Sequence, residues 1–476
     1  MSRILVLGSG LTGLTTALLL ARDGHDVTVL ERDPAPPPDG ADAAWAGWAR
    51  PGVAQFRQLH FLLPRWRAVM AAEVPEVLTA MLAAGACRTN SLHQRRAEAT
   101  GGWRPGDERF DAVTARRPVI EAAVASVAAG TPGVTVRRGV RVAGLVRAGR
   151  SSVPQVVGVR TEDGDLSADL VVDATGRNGR TTAWITEAGG LAPAETTADS
   201  GFRYYARHYR ARAGRLPEGR DVALTHYASV SLLTLAADNA TFGLGIVTSA
   251  NDRALRPLQR VERWEAAMRS YPAVEHWLDA EPITDVTVFG GLADRRRSFV
   301  VDGRPVVTGL VAVGDAWACT NPSLGRGVSI GALHACVLRD AVAKEGLGDA
   351  DALARRFHEE TERGGRPLRR RDAGVRPAPA GHDRGGRHRR RVRARRPELD
   401  DGHGAARRRP PRPRAGACPR RHRCAARHAF RGLRRPGRPS VRPPVGGPPV
   451  ADPRPYPRRA ARRARRHVEE VRPASP

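Results

Sequence analysis

The chain has 476 residues and a net charge of +29, but residues 364–476 hold 35 arginines against 8 acidic residues, so they carry +27 and leave +2 for the first 363. The first 363 residues therefore read as a near-neutral globular protein with room for two lobes and a sizeable core, for which nucleic acid is not the expected partner. The five cysteines, Cys87, Cys319, Cys336, Cys418 and Cys424, form no Cys-x-x-Cys pair, and histidines and cysteines show no zinc-type spacing, so no metal is expected.

Ile4 to Leu7 is an apolar β run, followed by Gly8-Ser9-Gly10-Leu11-Thr12-Gly13 and a helical stretch from Leu14 to Ala21. Gly8 allows a tight turn, Gly10 lets backbone approach a pyrophosphate, and Gly13 lets helix pack on strand. The helix N-terminus offers free N–H groups to phosphates, so Leu11 and Thr12 join the candidate contacts. A second strand, His25 to Leu30, ends at Glu31, whose carboxylate can accept from a ribose, with Arg32 beside it. The unit predicts a bound dinucleotide, against the plainer reading of a tight turn with incidental glycines. Alone it does not separate NAD from FAD. The first apolar run is too short to span a bilayer and no secretory signal precedes it, so a cytoplasmic protein without a membrane span is expected. Nothing specifies an oligomer.

Further along, Asp169 to Asp173 is a buried strand running into Ala174-Thr175-Gly176-Arg177. Phe202 to Arg210 alternates as a strand, with Tyr205, Arg207 and Tyr209 on one face and Tyr204, Ala206 and His208 on the other. Strands are also predicted for Val222 to Tyr227, Ser229 to Ala236, Ala240 to Val247 and Thr284 to Phe289, and a helix for Pro257 to Met268. Tyr204, Tyr205, His208, Tyr209, His226 and Tyr227 line a pocket or, on the plainer reading, pack the sheet. His208 and His226 suit proton transfer near neutral pH, although neither has a recognisable carboxylate partner.

Leu310 to Val313 reads as a buried strand with Gly314-Asp315 at its carboxyl end, where open α/β sheets bind ligands. A carboxylate there suits the ribityl hydroxyls of a flavin, against the plainer reading of a helix cap. After Pro322, Gly325-Arg326-Gly327 opens a helix through Val328 to Leu338, whose dipole favours negative charge at a flavin pyrimidine edge. Together the two ends predict one FAD. No second glycine fingerprint follows the first, which argues against a disulfide reductase with its own pyridine nucleotide domain.

With these motifs in place, the first 360 residues or so resemble the FAD-dependent monooxygenases and oxidoreductases of the aromatic hydroxylase fold, with its glutathione reductase type 2 Rossmann domain, and particularly their actinobacterial epoxidase-like and halogenase-like relatives. The resemblance implies an α/β FAD-binding Rossmann-type three-layer fold with an inserted, mostly antiparallel substrate sheet. It divides the chain into a discontinuous FAD domain (1–75, 110–195, 285–345), a substrate domain (76–109, 196–284), a helix (346–363) and the basic tail. Arg50-Pro51-Gly52-Val53-Ala54-Gln55-Phe56-Arg57-Gln58-Leu59-His60 resembles the segment that reaches the flavin in these relatives, which makes Arg57 and His60 candidates against a plainer solvated face. Arg116-Arg117-Pro118-Val119-Ile120 resembles the family's helix start, and implies Arg117 near the cofactor phosphates. The cofactor set implied is thus Gly8, Gly10, Leu11, Thr12, Gly13, Glu31, Arg32, Arg57, Arg117, Ala174, Gly176, Gly314, Asp315, Pro322, Gly325 and Gly327, with His60, Tyr205, His208 and His226 as weaker catalytic candidates.

By the same resemblance, NAD(P)H reduces the flavin and O2 supplies one oxygen atom to a small organic substrate. The chain departs from aromatic hydroxylases at Asp315-Ala316-Trp317-Ala318-Cys319, where they continue Asp-Ala-Ala-His, and from tryptophan halogenases in lacking Trp-x-Trp-x-Ile-Pro and in having Lys344 as its only lysine. Phenol hydroxylation and halogenation lose support accordingly. Other readings are a double-bond reductase resembling geranylgeranyl reductases, and an inactive flavin- or nucleic-acid-binding protein.

The tail is rich in Arg, Pro, Gly and Ala without apolar periodicity, and does not bury enough surface to fold. It reads as a disordered segment, as a basic arm for anionic surfaces, or as the product of GC-rich codons translated out of phase. The last is preferred, because shifting plausible codons for Asp372 to His382 restores an amphipathic helical pattern.

Overall fold

The computed structural model describes residues 1–92, 97–217, 223–291, 293–322 and 325–372. Predictions for the tail beyond residue 372, and for Val222, Ser323 and Leu324, lie outside them. At the centre is a five-stranded parallel sheet in the order Leu310–Ala312, Leu170–Asp173, Arg3–Leu7, Asp26–Glu31, Val134–Arg138. Its central strands are continuous apolar runs because both faces are covered. Ile4 and Val6 pack into a core with the Leu11–Arg22, Arg117–Ala129 and Gly327–Glu345 helices. Leu5 and Leu7 pack on the other side against a three-stranded antiparallel meander, Val142–Ala148, Gln155–Thr161 and Gly164–Ser167. The three layers are those the resemblance implies.

The Leu11–Arg22 helix begins at Gly10 without a side-chain cap and stops before Gly24, whose φ of +85° ends the helical path. Its first turn lies so close to the Gly327–Glu345 helix that a Cβ on Gly331 would overlap the Thr12 hydroxyl. Behind that helix runs the terminal helix, Ala350–Asp372, which starts later and ends later than the 346–363 expected from sequence. Leu353 and Phe357 anchor it in the helical core.

The inserted sheet has the order Leu224–His226, Val230–Ala236, Thr241–Ser249, Phe202–Arg210, Glu281–Pro282, all antiparallel, and Thr287–Gly290 also pairs with Phe202–Arg210. The alternation expected for Phe202–Arg210 holds. Tyr205 and Tyr209 point into a core with Trp264, Met268 and Trp277 beneath the Val261–Arg269 helix, while Tyr204 and His208 face the parallel-sheet half. Among the described residues no helix is long and apolar enough to cross a membrane.

Candidate flavin and substrate site

One cavity of about 940 Å³ runs from the Gly8–Thr12 turn, past Ala174–Arg180 and Asp315, to the inner face of the inserted sheet. That is near the top of the roughly 300–1,000 Å³ typical of small-molecule sites. The three glycines of the first turn differ in their surroundings. Gly8 has φ +101°, and a Cβ there would sit 2.8 Å from Ala174 O; a Cβ on Gly13 would overlap Gly8 O; one on Gly10 would meet nothing within 4 Å. The cradle beside Gly10 is therefore open, at a helix N-terminus whose amides have no side-chain cap.

Glu31 stands at the end of its strand on the cavity wall, and it is tightly held. It accepts from Ser9 N (2.9 Å), Ser9 Oγ (2.7 Å) and Asp33 N (3.0 Å), and pairs with Arg50 Nη2 at 2.6 Å. Burial pushes its carboxyl up, but Arg50 and the hydrogen bonds outweigh burial, and it lies below the usual carboxylate range. Arg50 is a hub that the motif reading did not single out: buried itself, it also reaches Asp33 Oδ2 at 3.0 Å and Glu121 Oε2 at 2.9 Å. Glu121 in turn accepts from Arg117 Nε at 2.7 Å, its i,i+4 neighbour.

Arg117 lies on the wall, where its Nη1 donates to His60 Nε2 at 2.9 Å. The other ring nitrogen of His60 is 2.9 Å from Gln58 O, a pure acceptor, so the proton is on Nδ1 and Nε2 carries the lone pair. Burial first, and then the adjacent Arg117 charge, lowers the imidazole to about 3, so it is neutral. Arg32 borders the same end against Gly52.

At the distal end Gly314 (φ +58°) turns against Thr12, bringing the Asp315 carboxyl to the cavity. Burial raises its pKa, opposed by Arg117, Arg177 and Arg295. Pro322, Gly325, Arg326 and Gly327 follow on the wall, and the helix starting at Gly327 has no side-chain cap. The turn is held from behind by a residue that sequence reasoning missed. His334, 4% exposed, accepts from Gly314 N at Nδ1 (3.3 Å) and meets Thr361 Oγ1 of the terminal helix at Nε2 (2.9 Å). Burial lowers its pKa to about 3.

Three candidates stand elsewhere than expected. Arg57 does not line the cavity: it donates to Trp48 O at 3.0 Å and stacks over Trp45 (4.9 Å), so the solvated face considered for its segment is not formed. His208 faces the right way but is buried against Trp45 (4.7 Å), and burial with Arg116 and Arg57 lowers it to about 3, so it is walled off from the cavity. Tyr205 borders the cavity from within the sheet, but its ring points into the opposite core. His226 does line the cavity, near its edge, with Nδ1 2.9 Å from Ser231 Oγ. Gly13 and Gly314 shape the turns without bordering the cavity. Ala174 and Gly176 lie on the wall, below Asp173, whose carboxylate fixes Thr175 through its N (2.9 Å) and Oγ1 (2.5 Å).

An open glycine cradle, uncapped amides at two helix starts and a carboxylate at each end fit a dinucleotide carrying a flavin. Fold and site define an FAD-binding oxidoreductase of the α/β class. A family model described as FAD dependent oxidoreductase matches residues 3–340, and the chain belongs to that family. Among curated proteins it is similar to Protein Rv3254 of Mycobacterium tuberculosis (strain ATCC 25618 / H37Rv), 29% identical over 358 residues, 71% of this chain and 72% of the relative. Among solved structures it resembles PqsL of Pseudomonas aeruginosa, described as a probable FAD-dependent monooxygenase (17% identity, TM-score 0.56, 78% of this chain and 98% of that one). It also resembles the flavin-dependent brominase Bmp2 (16%, 0.55, 77% and 84%) and a flavoprotein/dehydrogenase from Cytophaga hutchinsonii (18%, 0.57, 78% and 85%). At these identities the structural likeness speaks for the fold.

Proposed function

We propose that the chain is a monooxygenase that inserts one oxygen atom into an organic substrate, by epoxidation or hydroxylation, with NAD(P)H as electron donor. The observation that carries the reading is the continuity of the cavity from the dinucleotide cradle into a chamber roofed by an apolar sheet. For hydroxylation, substrate, O2, NAD(P)H and one proton give the alcohol, NAD(P)+ and water.

Bound FAD supplies two-electron redox chemistry and activation of O2. Gly8, Gly10 and the following amides would hold its pyrophosphate, Glu31 its ribose, Asp315 the ribityl chain, and the start of the Gly327–Glu345 helix the pyrimidine edge. Neutral His60 accepts from Arg117 through its Nε2 lone pair and so holds the guanidinium on the cavity wall, where it would face the phosphates. The apolar inner face of the inserted sheet excludes water from the reacting end. A halogenase reading lacks the lysine it needs, since Lys344 is exposed at the far end of its helix and does not border the cavity.

The test is an absorption spectrum of the purified protein, followed by NADPH addition under air and under nitrogen. The expected result is a flavin band that bleaches anaerobically and recovers with O2. Protein that stays colourless after reconstitution with FAD refutes the reading. Saturation of a double bond under nitrogen favours the reductase instead.

A further inference from the structure

We infer that the roofed end of the cavity takes an uncharged, predominantly hydrocarbon substrate, and that Leu59, seated in a notch made by Gly243 and Gly245, sets how deep that substrate reaches. The inference rests on the reading that FAD fills the glycine-rich end. The carboxylates on the cavity wall, Glu31, Asp33 and Asp315, belong to the parallel-sheet half. Among the described residues the roof sheet contributes one imidazole, His226, and no carboxylate or guanidinium. Its remaining contacts are mostly apolar groups such as Leu233, Leu235 and Phe289, with Thr225 beside His226, and the Tyr204 hydroxyl there is already engaged with Asn321 Oδ1 at 3.2 Å. A charged group carried under this roof loses its water and meets no carboxylate or guanidinium of the sheet to pair with. Arg326, at the opening of the distal helix, is one of the cations that border the same cavity from other elements.

The depth follows from the Thr241–Ser249 strand. Gly243 and Gly245 alternate on its inner face, in register with His208 and Ala206. Two missing side chains in succession leave a trough, and glycines inside a strand mark such close approaches. A Cβ on Gly243 would overlap Leu59 Cδ2, and one on Gly245 would stand 3.1 Å from Leu59 Cδ1. The Leu59 side chain therefore fills the trough and closes that wall, while the residue itself borders the cavity. The same seat fixes the segment that carries Gln58 and His60.

The experiment uses FAD-loaded protein and two probes of similar shape, neutral N-phenyl-1-naphthylamine and anionic 8-anilino-1-naphthalenesulfonate, with straight-chain 1-alkanols as competitors. The neutral probe should bind at least about tenfold tighter than the sulfonate. Alkanol affinity should rise about fourfold per methylene until the chamber is full and then level off. Leu59→Ala should move that plateau to alkanols longer by about three carbons, the number removed. Gly243→Ala alone should disturb the wall, whereas Gly243→Ala in the Leu59→Ala background should bind like Leu59→Ala, because the clashing atoms are gone. Equal or tighter sulfonate binding overturns the uncharged class and points to an arginine of the cavity wall, such as Arg326, as an anchor. An unmoved plateau in Leu59→Ala overturns the role of Leu59. Flavin absorbance, read on the same samples, reports loss of FAD separately, and protein that never takes FAD brings down the underlying reading and the inference with it.

Discussion

His334 makes the structure sensitive to acid in a way that can be calculated. In the folded chain its imidazole is neutral, with a pKa lowered from 6.5 to about 3 by burial, accepting from Gly314 N and meeting Thr361 Oγ1. A histidine with a folded pKa below its unfolded one contributes stability that is fully present above pH 6.5 and is lost as pH falls toward 3. Over that window the loss approaches 1.4 kcal/mol per pH unit, so between pH 7 and pH 5 this one residue costs about 2 kcal/mol, roughly thirtyfold in the folding constant. His334→Gln keeps an acceptor and a donor but does not titrate. The variant should be less stable than the parent at pH 7 by about 1–3 kcal/mol, for an imperfectly satisfied buried site. By pH 5 the gap should have closed by about 2 kcal/mol. Urea unfolding of both proteins at the two pH values measures this, and contributions from His60 and His208, common to both, cancel. Parallel pH dependences, with the gap unchanged, would refute the claim that His334 is held neutral behind the Gly314 turn.

Arg50→Met should leave Glu31, Asp33 and Glu121 without their shared counterion and cost about 3–5 kcal/mol in urea unfolding, since a broken buried pair strands its partners; a cost under about 1 kcal/mol contradicts the hub. Gly10→Ala and Gly13→Ala should separate cofactor binding from folding. The first meets open space and should leave stability intact while weakening FAD at least about tenfold, whereas the second meets Gly8 O and should destabilise by about 1–3 kcal/mol in the same assay. A chain ending after Asp372 should bind FAD with unchanged affinity, measured by fluorescence titration, because every described residue bordering the cavity precedes Ser329. Stopping instead after Gly348 removes Leu353, Phe357 and Thr361 and should yield insoluble protein. The coding DNA across residues 373–476 should hold a second open frame with helical apolar periodicity, and stop codons in that frame would end the out-of-phase reading.

What the sequence made legible is what depends on neighbours along the chain. The strand, glycines, helix and Glu31 lie within thirty-odd residues, and each constraint there is local: a positive φ at Gly8, a close packing at Gly13, an open approach at Gly10. The face alternation of Phe202–Arg210 was readable for the same reason, because side chains of a strand alternate whatever it pairs with. Which face met the cavity was not readable. That follows from the pairing with Thr241–Ser249 and from the Val261–Arg269 helix claiming the other side, so Tyr205 and His226 looked equally eligible until the register separated them.

The segment Arg50–His60 shows why the remaining site residues escaped. Its conformation is fixed by Glu31 and Glu121 on Arg50, by Trp45 and Trp48 on Arg57, by Arg117 on His60, and by the Gly243–Gly245 trough on Leu59. These partners come from four separated parts of the chain, and no spacing within the segment encodes them. Two of the partners nevertheless left a trace: Glu121 stands i+4 from Arg117, where one helix face brings them together, and Gly243-Leu244-Gly245 interrupts an otherwise good strand. Glycines inside a strand weaken it, and a charge pair buried on an apolar helix carries a desolvation cost, unless something distant uses them. In this chain the distant user is the same loop in both cases, which is why one short irregular segment can hold the wall at the glycine-rich end and the wall at the roofed end of the cavity at once.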